Sequence, residues 1–153
     1  MMQVSSVDKS ITLELPDEWS PLPPEGKSEI LAATMNDSPG SYIPNLSITV
    51  QTLPPGDKRD SESYYVGNYV HLQHHVEGFQ SLGSGTLVVQ QAQVFWCSYL
   101  RKFEPELTLA VTQYFIVRHG RAYIVTCFAL PAEQDAMLPR FHGIVASVRF
   151  LQT

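Results

Sequence analysis

Three histidines in one short stretch, His71, His74 and His75, come nearest in type and spacing to chemistry. His71 and His75 stand four apart, so on a helix both rings reach one side and could share a metal ion. Such a site needs a third ligand, and the one acid close by, Glu77, falls off their stripe. The pattern HxxxH also lacks the glutamate that makes HExxH a hydrolytic zinc motif. A solvated polar helix face accounts for these residues. No metal or other cofactor is assigned, and His71 and His75 stand as the metal candidates.

Other chemistry-bearing residues read in the same way. Gly83-Ser84-Gly85-Thr86 lacks the lysine and spacing of a phosphate-binding loop, and no helix follows it. It also fails as a GxSxG nucleophile elbow, so a bulge or turn between strands is the reading. No grouping of serine, histidine and acid stands out, although such triads assemble in space. Arg118, His119 and Arg121 crowd one hairpin tip, where they form either a solvated turn or a contact for an anion or acidic partner. Cys97 and Cys127 have neither CxxC spacing nor an activating neighbour. They read as buried free thiols in a reducing cytoplasm, with a disulfide left open if a leader preceded the chain. Trp19, Trp96, Tyr99, Tyr114 and Tyr123 read as core, unless one sheet face is uncovered and exposes them for binding. The chain is therefore read as non-catalytic.

The elements that would position these residues centre on Leu107 to Leu130. Two apolar arms flank His119-Gly120, a two-residue hairpin turn in which glycine accepts positive φ. Both arms are apolar on both faces, as in strands with layers packed on each side. Upstream, residues 1–10 read as frayed, Ile11 to Leu15 as a half-buried strand, and Trp19 as an anchor over its end. Residues 20–28 read as a proline-rich turn. Glu29 to Met35 is a second strand, followed by a loop. Leu46 to Gln51 is a third strand, with Ser47, Thr49 and Gln51 giving it one wet side. Asp60 or Ser61 caps a helix over 61–77, whose buried stripe is Tyr65, Tyr69, Leu72 and Val76, and Gly78 stops it. Phe79 to Val89 is one or two weak strands, and Ala92 to Lys102 another. Pro131 opens a lead-in turn. Pro139 places the last helix proper at 138–147, with Leu138, Phe141, Ile144, Val145 and Val148 inward. Three strands, a helix, four strands and a helix make an α+β chain, most economically an antiparallel sheet with helices packed on it.

Composition excludes several classes. The apolar fraction of 44% and charged fraction of 16% are those of a folded domain, and the length of 153 residues suits a single one, 1–153. The net charge of −5 comes without a basic stripe, so nucleic acid is not expected as a partner. Residues 1–62 hold ten acids and four bases, an acidic front end compatible with a basic partner. No window reaches the ~18 apolar residues of a membrane span, so no membrane insertion is expected. The first residues lack a basic head and apolar core, so a cytoplasmic location is expected.

The early LPDEW, the PNLSITVQ of the third strand and the terminal FHGIVASVRF resemble the PsbP-like superfamily, and within it the DcrB-like family of bacterial proteins. The matching positions are Pro16 and Trp19, then Pro44, Asn45, Ile48 and Val50, then Ile144, Ser147, Val148 and Phe150. Val148 stands where those proteins commonly have phenylalanine. The resemblance implies an α/β/α sandwich with a central antiparallel sheet of about six to seven strands flanked by two main helices. Relatives of this kind are mostly binding proteins. They include photosynthetic accessory proteins, a Ran-binding protein, periplasmic lipoproteins and cytoplasmic chaperones that accompany type VI secretion effectors. The resemblance thus implies a protein partner, a chaperone or adaptor role with an apolar concave face, and a homodimer. The competing readings are a metal or enzymatic site on the first helix and a photosynthetic accessory role.

Overall fold

The structure is a computed structural model that describes residues 1–37 and 40–151. Ser38 and Pro39, inside the loop expected after the second strand, lie outside the described residues. The element order is β1 (Met2–Ser5), β2 (Ile11–Leu15), β3 (Trp19–Leu22), β4 (Glu29–Met35), β5 (Asn45–Thr52), α1 (Ser61–His75), β6 (Gln80–Val89), β7 (Ala92–Glu104), β8 (Leu107–Arg118), β9 (Arg121–Ala129), α2 (Gln134–Ala146) and β10 (Arg149–Phe150). Seven strands form one antiparallel sheet in the order β3-β4-β5-β9-β8-β7-β6. The three others form a small sheet, β1-β2-β10.

The large sheet separates two apolar layers. On one face α1 packs on β7 and β8 through Tyr64, Tyr65, Tyr69, Leu72 and Val76, against Cys97, Tyr99, Val111 and Phe115. On the other, α2 and the small sheet share a core of Ile11, Leu13, Leu15, Leu46, Ile48, Tyr114, Val125, Phe141 and Ile144. The expected α/β/α arrangement holds, with one addition: α2 shares its layer with the small sheet. That sheet joins the first residues to the last, a pairing that local periodicity does not encode.

Local chemistry explains most boundaries. Asp60 accepts a hydrogen bond from the Ser63 amide at 2.8 Å and starts α1. Gly78, at φ +70°, turns the chain out into β6. His119 and Gly120, at φ +52° and +74°, make the tight turn between β8 and β9.

Three expectations are corrected. Residues 1–10 are not simply frayed, because Met2–Ser5 pairs with β2. The stretch read as a proline-rich turn begins with an edge strand, β3, and Trp19 lies inside it at 3% exposure. Pro21 is tolerated there because an edge strand has one unpaired side. The last helix begins at Gln134 rather than Leu138 and runs through Pro139. That proline cannot donate to the Asp135 carbonyl, but both residues are exposed, so the freed carbonyl faces water.

Candidate binding face

Among the described residues, helix α1 packs chiefly on β7 and β8, reaches β5 at one point through Tyr64, and no other helix lies over the rest of the sheet on that side. Register fixes what this uncovered part presents. Asn45, Ser47, Thr49 and Gln51 line up along β5, opposite Phe128, Thr126, Ile124 and Ala122 of β9. Thr34 of β4 stands beside Asn45, and Gln113 of β8 beside Thr126. Ser47, Thr49, Thr126, Ile124 and Gln113 are all half-buried. The wet side expected for the third strand is real and extends across its neighbours. The arms of the central hairpin, expected to be apolar on both faces, carry Gln113 and Thr126 on this one.

The polar groups are held rather than loose. Tyr99 donates its hydroxyl to Gln113 Oε1 at 2.8 Å, and Gln113 Nε2 donates to Thr126 at 3.2 Å. Tyr64 donates to Gln51 Oε1 at 2.6 Å. At the end nearest the β7–β8 turn, Phe103 meets Phe128 edge-on with ring centroids 5.9 Å apart, and the Arg101 guanidinium lies over Phe103 at 4.8 Å. Phe103 is 39% exposed. The face is thus a ladder of amides and hydroxyls with an aromatic margin. It offers directional hydrogen bonds beside an apolar anchor, the composition of a protein interface. It is more polar than the apolar concave face expected of an effector chaperone.

The other candidate residues fall elsewhere. His71 and His75 lie on exposed α1 surface with ring centroids 4.1 Å apart. Among the described residues, no group of three or more His, Cys, Asp or Glu side chains is gathered for a metal ion. Cys97 and Cys127 are free and buried, on opposite faces of the sheet. Burial pushes the Cys97 thiol up to about 12 and that of Cys127 well above its ordinary range. The run 83–86 lies within β6, with a register irregularity between Ser81 and Gly83. Gly85 is needed for space, since a Cβ there would meet Trp96 Nε1 at 2.9 Å. Trp96 in turn packs on His142, centroids 4.8 Å apart, and Tyr114 Oη bonds His142 Nδ1 at 2.7 Å. Burial lowers the His142 pKa.

The hairpin tip is more than a solvated turn. Arg121 is hydrogen-bonded to Asp8 of the β1–β2 turn. Burial opposes ionisation of Asp8, but hydrogen bonds from Arg121, Ser6 and Ser10 outweigh it and hold the carboxyl well below its usual pKa. A carboxylate with a depressed folded pKa stabilises above its unfolded pKa, near 4, and loses that contribution as pH falls towards the folded value. We expect this pair, which is partly exposed, to contribute about 1 kcal/mol at neutral pH. Urea midpoints measured from pH 7 down to pH 2 should fall less steeply in Asp8→Asn than in the wild type. Parallel curves would show that Asp8 contributes nothing.

No protein-family model matches the sequence, and no curated protein matches it significantly. Solved structures do match. The cyanobacterial PsbP protein CyanoP of Synechocystis sp. PCC 6803 superposes with a TM-score of 0.67 at 9% identity, covering 98% of this chain and 92% of its own. LpqN of Mycobacterium tuberculosis, involved in cell envelope biogenesis, gives 0.68 at 15% identity, covering 99% and 90%. The Saccharomyces cerevisiae Ran-binding protein Mog1p gives 0.63 at 12% identity, covering 97% and 94%. The chain therefore has the PsbP-like fold, as the sequence resemblance implied.

Proposed function

We propose that this chain is a non-catalytic protein-binding module that docks its partner on the uncovered part of the large sheet. The carrying observation is that face: hydroxyls and amides pre-ordered by Tyr99 and Tyr64, beside the Phe103–Phe128 pair. The Ran-binding neighbour of the same fold supports the class of activity. The more specific reading is a cytoplasmic chaperone or adaptor of the DcrB-like kind that accompanies type VI secretion effectors, acting as a homodimer. The quoted sequence motifs support it, while the polar character of the face favours a partner with hydrogen-bonding groups over a purely apolar helix.

The test is affinity capture from the native host with the wild-type chain and with a Thr49→Arg, Thr126→Arg double variant. Both positions are half-buried and open, so the fold should survive, as a thermal melt would check. One dominant protein, retained by the wild type and lost by the variant, is the expected result. The same protein held equally by both would sink the assignment of this face. Sedimentation of the purified chain would decide the homodimer.

The alternative metal reading rests on the closeness of the His71 and His75 rings. Stoichiometric metal in protein purified without chelators, lost on His71→Ala with His75→Ala, would carry it. Metal at background level would end it. Likeness to CyanoP at 9% identity speaks for fold and does not select a photosynthetic role.

A further inference from the structure

The hairpin tip carries a second site, on the opposite side of the large sheet from the binding face. Arg118, His119 and Arg121 border a cavity of about 120 Å³ that Ser10, Tyr123 and Phe150 help to close. We propose that this cavity binds a phosphate-sized oxyanion, either free phosphate or the phosphate group of a small monoester.

Two cations are pre-positioned there. The Arg118 guanidinium lies over the Phe150 ring at 4.7 Å, and that of Arg121 over Tyr123 at 5.3 Å. Stacking holds each planar group in place, which reduces the entropy lost on binding. Arg121 also donates to Tyr123 Oη at 3.1 Å, and its other edge is tied to Asp8. Arg118 has no carboxylate partner among the described residues. With Asp8 ionised, these three charges leave the cavity at +1.

The third donor is the Tyr123 hydroxyl. Tyr123 is 4% exposed, and its oxygen accepts from Arg121. Its own hydrogen has no acceptor among the described residues. A hydroxyl that accepts from Arg121 and lines the cavity keeps its hydrogen for an acceptor, and an anion supplies one. Three donor-bearing side chains, Arg118, Arg121 and Tyr123, thus line one cavity. A planar carboxylate matches one guanidinium fork, whereas a tetrahedral oxyanion offers acceptors in several directions at once. The volume admits a phosphate group but would leave a nucleotide's base and sugar outside.

The experiment is a calorimetric titration of the full chain with inorganic phosphate at constant ionic strength, chloride being the balancing anion. Saturable one-to-one binding in the millimolar range or tighter is expected. Arg118→Gln and Tyr123→Phe should each weaken it by about tenfold or more, as for lost hydrogen bonds to a charged group. Arg118 makes no ion pair among the described residues and Tyr123→Phe keeps the ring, so thermal melts should show both variants folded. O-phosphoserine in the same titration separates the two sources: tighter binding than phosphate identifies an ester, equal or weaker binding the free anion. No saturable binding of either probe, or an affinity unchanged in the Arg118→Gln variant, overturns the proposal.

Discussion

Replacing Phe141 with alanine is expected to destabilise the protein by about 3–5 kcal/mol. Phe141 is fully buried where α2 meets both sheets. Its ring meets Trp19 edge-on, centroids 6.2 Å apart, and so ties α2 to the edge strand β3. Truncation removes the ring's burial and leaves a space that two sheets and a helix cannot close together. Domains of this size are stable by only about 5–15 kcal/mol. The loss should therefore appear as a lower urea midpoint with an unchanged slope, and as a fall in Tm of roughly 6–20 °C. Leu138, on the same helix but half-buried, is the comparison. Leu138→Ala should cost less, and equal costs at the two positions would mean that burial on α2 does not set its energetics.

The second large effect is kinetic. Cys97 and Cys127 react only as thiolates, and both thiols are buried with their pKa values raised by that burial. Modification in the native state therefore requires opening of the fold. Labelling by a neutral thiol reagent at pH 8 should be slowed by about 10³–10⁸ relative to the denatured chain, the range set by ordinary unfolding constants. A disulfide between the two is ruled out by geometry. They stand on β7 and β9 with β8 between them, two strand spacings or about 9–10 Å apart, and they project to opposite faces. Rapid labelling of either cysteine in folded protein would show local opening that the packing does not anticipate.

The two faces of the large sheet were legible to different degrees. The alternation of Leu46, Ile48 and Val50 with Ser47, Thr49 and Gln51 announced a strand with one wet side, because side chains alternate faces regardless of what lies above them. Which side stays wet depends on where α1 lands. The Tyr65, Tyr69, Leu72, Val76 stripe showed that the helix buries one side, but not that β7 and β8 lie beneath it while β5 stays open. The residues missed for the face were Gln113 and Thr126, two polar positions in arms read as apolar throughout. A period-two count of each arm would have marked them.

The anion cavity divides in the same way. Arg118, His119 and Arg121 are neighbours in sequence, and Tyr123 shares a face with Arg121 two residues on. Ser10 and Phe150 join them only because β2 pairs with both β1 and β10. By itself the sequence determined seven of the ten strands, both helices, most of their inward faces and the tight turn at His119-Gly120, but not β1, β3 or β10. These follow from local rules of periodicity, capping and turn geometry, which act over a few residues, whereas the family of folds came from the resemblance of whole motifs. Only the tertiary structure decided that the first and last strands share a sheet, that Pro139 sits inside a helix, and which half of the large sheet is left open. Those outcomes depend on burial between segments far apart in the chain, where the energies of many weak contacts compete and no local signal records the winner.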